Sequence, residues 1–176
     1  LIDNMLIGNV ANNVDIDLGA GDDEIITKDL VANKTVTING GAGNDLFDVR
    51  GSKTDVDASK YVVIGDVSGG DKIKFDALVQ ASGFERVQDN VVKDATTLKE
   101  AINLAIESNQ SASPILNKVF YFTYAGDTYV VHNATSTAVG TPDTLTAADT
   151  VVKLAGVRSD DLILTADYTE GTLNIN

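Results

Sequence analysis

Three short windows of this chain repeat one arrangement of glycine, aspartate and an apolar residue: LGAGDDEII from Leu18, GGAGNDLFD from Gly40 and DVSGGDKIK from Asp66. Aligned on the aspartate, they set Gly21, Asp23 and Ile25 against Gly43, Asp45 and Phe47, and against Gly69, Asp71 and Ile73. Glycine adopts positive φ without steric cost, so each window opens as a tight bend. The apolar residue two places after the aspartate then starts a strand with its side chain facing a core. A bend followed by a strand, recurring along the chain, is the pattern of stacked coils. Asp45 follows Asp23 by 22 residues and Asp71 follows Asp45 by 26. Two nine-residue units make a coil of about 18, so the coils carry four and eight extra residues, assigned to KDLVANK from Lys28 and GSKTDVD from Gly51. A degraded fourth copy, IGNVANNVD from Ile7, keeps only Gly8 and Asn12 in matching places.

These residue types suit a hard divalent cation. Calcium takes about six to eight oxygen ligands at about 2.3 to 2.6 Å, from carboxylates and backbone carbonyls. Gly19, Gly21, Gly41, Gly43 and Gly69 let the bends turn their carbonyls inward, and Asp23, Asp45 and Asp71 add charged oxygens, with Asp22 and Asp66 beside them. One bend supplies half a cage. A second bend, stacked at the ~4.8 Å strand spacing, supplies the other half, and an ion between them neutralises aspartates that otherwise repel. The formal charge of −13, from 26 acidic and 13 basic residues, fits a cation partner and excludes a phosphate backbone, which needs a basic face. The absence of cysteine excludes disulfides and thiolate metal sites.

Alternation of period two marks strands at VDIDL from Val14, TVTI from Thr35, KIKF from Lys72, TYVV from Thr128 and TLNI from Thr172. One segment has helical period instead. Leu98, Ala101, Ile102, Ala105 and Ile106 form one face, and Thr97 with Glu100 forms a capping box, so a helix is predicted over 98–108. SNQSASP, ending at Pro114, stops it. A hairpin follows, KVFYFTY and TYVVHN around AGD, with Gly126 and Asp127 in the turn. Further strands are expected near 150–154, 162–165 and 172–175. The predicted fold is mainly β: a short calcium-binding parallel β-roll over 1–75, a helical excursion over 76–117 with one amphipathic helix, and a β cap over 118–176, all in one compact unit. No uncharged apolar run reaches the roughly 18 residues a membrane-spanning helix needs. The chain starts at Leu1 without a basic and then apolar leader, so it is expected to be cut from a longer protein.

The middle window matches G-G-x-G-x-D-x-U-x throughout, the nonapeptide of RTX proteins. The chain from Val14 to Asn176 resembles the C-terminal portion of RTX proteins exported by type I secretion, with GDVSGGDKIKFDAL similar to the segment that ends the repeats. GDTYVVHN, DTVVKLAGV and LILTADY are similar to the terminal cap. The flavour is that of S-layer RTX proteins. The resemblance implies a non-catalytic, calcium-stabilised module of a secreted cell-surface protein, with the secretion signal in its last several dozen residues. Its implied partners are calcium ions, the type I secretion machinery and further copies in a surface lattice. The resemblance also covers the RTX tails of secreted metalloproteases and lipases, and the ends of adhesins, which differ upstream of Leu1. His132, the single histidine, is read as structural because no H-E-x-x-H, G-x-S-x-G or cysteine accompanies it. Tyr121, Phe122, Tyr124 and Tyr129 are read as cross-strand packing.

Overall fold

The structure is a computed structural model and describes residues 5–9, 11–28, 30–76, 84–109, 117–134 and 143–176. Its first seven strands are β1 (Met5–Ile7), β2 (Val14–Asp17), β3 (Glu24–Lys28), β4 (Val36–Asn39), β5 (Leu46–Gly51), β6 (Val62–Asp66) and β7 (Lys72–Lys74). The chain passes alternately between two sheets. β1, β3, β5 and β7 pair in parallel in one, and β2, β4 and β6 in the other.

Alternating apolar residues explain the arrangement. Because side chains point to opposite faces in turn, every second residue of each strand can face the space between the sheets. In one sheet Ile25, Phe47, Ile73 and Leu173 lie in register across four strands. In the other, Val14, Val36, Val62 and Val152 form one row and Ile16, Ile38, Ile64 and Leu154 the next. Apart from half-buried Val14, these side chains are buried, and each contributes roughly 1.5 to 3 kcal/mol through burial. The extra residues of the long coils fall between β3 and β4 and between β5 and β6, the two connections that KDLVANK and GSKTDVD were expected to fill.

The later elements extend both sheets: β8 (Phe84–Arg86), α1 (Asp89–Val92), α2 (Leu98–Ser108), β9 (Lys118–Tyr124), β10 (Asp127–Asn133), β11 (Thr150–Leu154), β12 (Leu164–Asp167) and β13 (Thr172–Ile175). The strand orders are β1-β3-β5-β7-β13-β12 and β2-β4-β6-β11-β10-β9-β8. The fold is mainly β, as expected, but both sheets are mixed. β9, β10 and β11 run antiparallel in turn, and β13 runs antiparallel to β7 and β12; the short connections β9–β10 and β12–β13 can join only antiparallel neighbours.

Helix α2 has the predicted bounds, with Ala101, Ile102, Ala105 and Ile106 buried in a cluster with Phe120, Phe122, Tyr129, Val131 and Val151. Thr97 Oγ1 accepts from the Glu100 amide at 3.2 Å. The return half of the box lands one residue early, since the Glu100 carboxylate accepts from the amide and hydroxyl of Thr96. The one-turn helix α1 precedes α2 and was not expected. Residues 110–116, including the predicted stop at Pro114, lie outside the described residues. In the hairpin, Ala125 and Gly126 hold the positive φ values of 52° and 92°. Asp127 is already in β10, paired with Tyr124, so the turn sits one residue earlier than expected. β12 begins at Leu164, two residues beyond the predicted start at 162. No helix among the described residues is long and apolar enough to cross a membrane.

Candidate metal centre

The three glycine-aspartate bends lie in successive crossings from one sheet to the other, the connections β2 to β3, β4 to β5 and β6 to β7. The parallel register that aligns Ile25, Phe47 and Ile73 also stacks the aspartates. Asp23 donates its amide to Asp45 Oδ1 at 2.9 Å, and Asp45 donates its amide to Asp71 Oδ1 at 3.0 Å. Beside them, Leu46 N donates to Asp23 O and Lys72 N to Asp45 O, each at 2.8 Å. All three aspartates are buried: Asp23 is 5% exposed, Asp45 1% and Asp71 2%.

The first two bends share one conformation. Gly19 and Gly21 hold φ of 97° and 128°, and Gly41 and Gly43 hold 89° and 145°. Ala20 and Ala42 bridge in parallel, with Ala42 N donating to Gly19 O at 2.9 Å and Gly21 N to Ala42 O at 2.8 Å. This approach leaves no room for a side chain. A Cβ on Gly41 would lie 1.9 Å from Gly19 O, and one on Gly43 would lie 2.1 Å from Gly21 O. Glycine is required there for space as well as for φ.

The third bend differs. Positive φ falls at Gly70, 109°, and not at Gly69. Gly70 N donates to Ile175 O in β13 at 2.8 Å, away from the second bend. Asp66, at the end of β6, accepts from Gly40 N at 2.7 Å and from Gly41 N at 3.2 Å. Asp71 Oδ2 accepts from Ser68 N at 2.7 Å and Ser68 Oγ at 3.3 Å. Asp22 is engaged as well, its Oδ1 accepting from Asn44 N at 2.8 Å. Sequence reasoning missed Asn44 and Ser68. The signal for Ser68 was a short polar side chain three residues before an aspartate; Asn44 showed only in its alignment with Asp22.

The electrostatics of the ladder are unbalanced. No Lys or Arg among the described residues pairs with Asp22, Asp23, Asp45, Asp66 or Asp71. Burial pushes the Asp45 carboxyl above its ordinary range, and repulsion from Asp71, Asp23 and Asp22 adds to the rise against the hydrogen bond from Asp23. Two buried carboxylate oxygens, Asp23 Oδ2 and Asp45 Oδ2, have no hydrogen-bond partner. Buried acceptors are rarely left so, because desolvation without a partner costs about 1 to 3 kcal/mol. Asp45 Oδ2 turns back over Gly40, where a Cβ would lie 2.5 Å from it.

These features fit calcium at the first pair of bends. Two buried carboxylates from successive coils each keep an oxygen without a hydrogen-bond partner, and the glycine bends before them touch backbone to backbone, Ala42 N donating to Gly19 O. Among the described residues no three His, Cys, Asp or Glu side chains group as a metal cage. Any ion held here must therefore draw on backbone carbonyls as well as carboxylates, the mixture calcium accepts.

The other expected candidates lie elsewhere. His132 is fully buried on β10, its ring 5.6 Å from that of Phe75. Tyr129 stacks on its cross-strand partner Phe122 at 6.1 Å and meets Tyr124 edge-on, while Tyr121 stacks on Phe84 at 5.3 Å. Away from the bends, Arg50 folds back over buried Asp48, its Nε 2.9 and 3.0 Å from the two carboxylate oxygens. A scan against protein-family models finds no match for this chain, and a search of curated proteins finds no matching sequence.

Proposed function

We propose that this chain is a non-catalytic, calcium-stabilised β-roll module from the C-terminal part of an exported bacterial surface protein of the S-layer kind. The observation that carries the calcium part is the pair of buried, partnerless oxygens, Asp23 Oδ2 and Asp45 Oδ2, on stacked glycine bends. The alternation of parallel strands between two sheets supports the β-roll. The surface location and type I export rest on the likeness of the nonapeptide and the terminal segments to S-layer RTX proteins.

In this reading Asp23 and Asp45, with carbonyls of Gly19, Gly21, Gly41 and Gly43, hold the ion. Calcium supplies positive charge to a ladder that no Lys or Arg among the described residues neutralises. The chain's part is to bring the oxygens together: the register of β3 on β5 sets the spacing, and the glycines let the two backbones touch. An ion that binds the folded chain alone stabilises it by mass action. Low cytosolic calcium then leaves the first two acidic bends poorly ordered during export, and extracellular calcium orders them.

The size of the effect follows. Extracellular modules bind calcium with dissociation constants of about 0.1 to 1 mM. Calcium at about 10 mM then adds about 1.4 to 2.7 kcal/mol, a rise in thermal midpoint of about 3 to 10 °C for a domain of this length. The test is thermal unfolding in chelator and in calcium. A rise in that range is expected; equal midpoints would defeat the calcium reading. Export is tested separately, by secretion of the chain from cells with and without a type I exporter.

A further inference from the structure

The three aspartates look equivalent in the sequence, yet their carboxylates are used differently. Asp23 and Asp45 each keep one buried oxygen without a partner, whereas Asp71 keeps none: Oδ1 takes the Asp45 amide and Oδ2 takes both donors of Ser68. Asp66 spends both oxygens on the amides of Gly40 and Gly41. Facing the third bend, the second therefore presents N–H donors, whose partial positive charge repels a cation. The backbone differs in the same sense. The paired positive φ values that turn the first two bends are replaced by one at Gly70, and Val67 stands where Gly19 and Gly41 stand in the others.

We infer that the interval between the second and third bends is closed by the chain's own groups, Asp66 and Ser68, and that calcium occupies only the interval between the first and second. This rests on the calcium reading given above and makes it local. The third bend, anchored through Gly70 to Ile175 in β13, is ordered without an ion. It forms the calcium-independent floor on which the first coil is laid. Calcium then acts as a clamp on the first two bends, while the stack from β6 onward folds without it.

The test combines a calcium titration of the 176-residue chain with hydrogen exchange in chelator and in calcium. Added calcium is expected to raise protection over 18–28 and 40–46 and to leave 66–75 unchanged. Asp23→Asn is expected to abolish binding. Asp66→Asn and Asp71→Asn are expected to lower stability in chelator and in calcium alike, with the number of bound ions unchanged. A gain of protection over 66–75 on adding calcium, or the loss of one ion in Asp66→Asn or Asp71→Asn, overturns the inference while the calcium reading stands. Absence of any calcium binding to the parent chain overturns both. The exchange pattern and the parent's ion count need no variant, so a variant that fails to fold does not block the test.

Discussion

Asp45 accepts a hydrogen bond from the amide of Asp23, 22 residues earlier in the chain, and leaves its second oxygen buried without a partner. One oxygen fixes the register between two coils, and the other is the one that the proposed calcium ion would take.

The titration of Asp45 gives this arrangement a pH signature. Its folded-state pKa is raised, mainly by burial and then by the neighbouring aspartates. In chelator the folded state therefore holds this proton more tightly than the unfolded state, and the Asp45 contribution to stability rises as pH falls through the raised pKa toward the ordinary carboxylate value. Calcium needs the ionised form, so its increment shrinks over the same window. Asp149, also raised by burial, acts equally with and without calcium and cancels in the difference. Thermal midpoints at about pH 7 and about pH 5, each with calcium and with chelator, are expected to show a smaller calcium increment at the lower pH. An increment as large at both contradicts the assignment.

Gly43 and Gly69, which share one column of the alignment, should respond differently. Gly43→Ala forces φ of 145° on a residue with a Cβ and drives that atom to 2.1 Å from Gly21 O. A loss of about 2 to 4 kcal/mol is expected, combining backbone strain with displacement of the neighbouring coil. Gly69→Ala has ordinary φ, and its nearest atom is 3.7 Å away, so a change within about 0.5 kcal/mol is expected. Denaturant unfolding of the pair measures both.

The β9–β10 hairpin contains a removable strain. Ala125 occupies the left-handed region at φ 52°, beside Gly126 at 92°, in a two-residue turn that favours Asn-Gly. Ala125→Asn or Ala125→Gly is expected to stabilise the fold by about 0.5 to 1 kcal/mol. The denaturant midpoint should move up at constant slope.

Asp48 is buried, and its countercharge comes from Arg50 two residues along the same strand. Arg50→Met keeps the aliphatic stem and removes the charge. Because the guanidinium side is half exposed, water replaces part of the interaction, and a loss of about 1 to 3 kcal/mol is expected. Asp48→Asn in the Arg50→Met background should recover part of it, since no unpaired charge then remains; a double-mutant cycle in denaturant reads the coupling.

Local features of this protein were readable before any fold was known. Helix α2 lies at its predicted bounds because its apolar period and Thr97 cap are short-range properties. The first two bends follow from glycine sterics, and the core rows from strict alternation. What the sequence alone could not decide was how equivalent aspartates divide their oxygens. Asp71 matches Asp45 in its motif, but Ser68, the amide of Asp45 and the anchoring of Gly70 to Ile175 make it a closed cap. Ser68 is a local donor three residues from Asp71, but the Asp45 amide on Asp71, the Gly40 and Gly41 amides on Asp66 and the Ile175 carbonyl on Gly70 come from 25 residues away or more, and only tertiary packing brings them alongside.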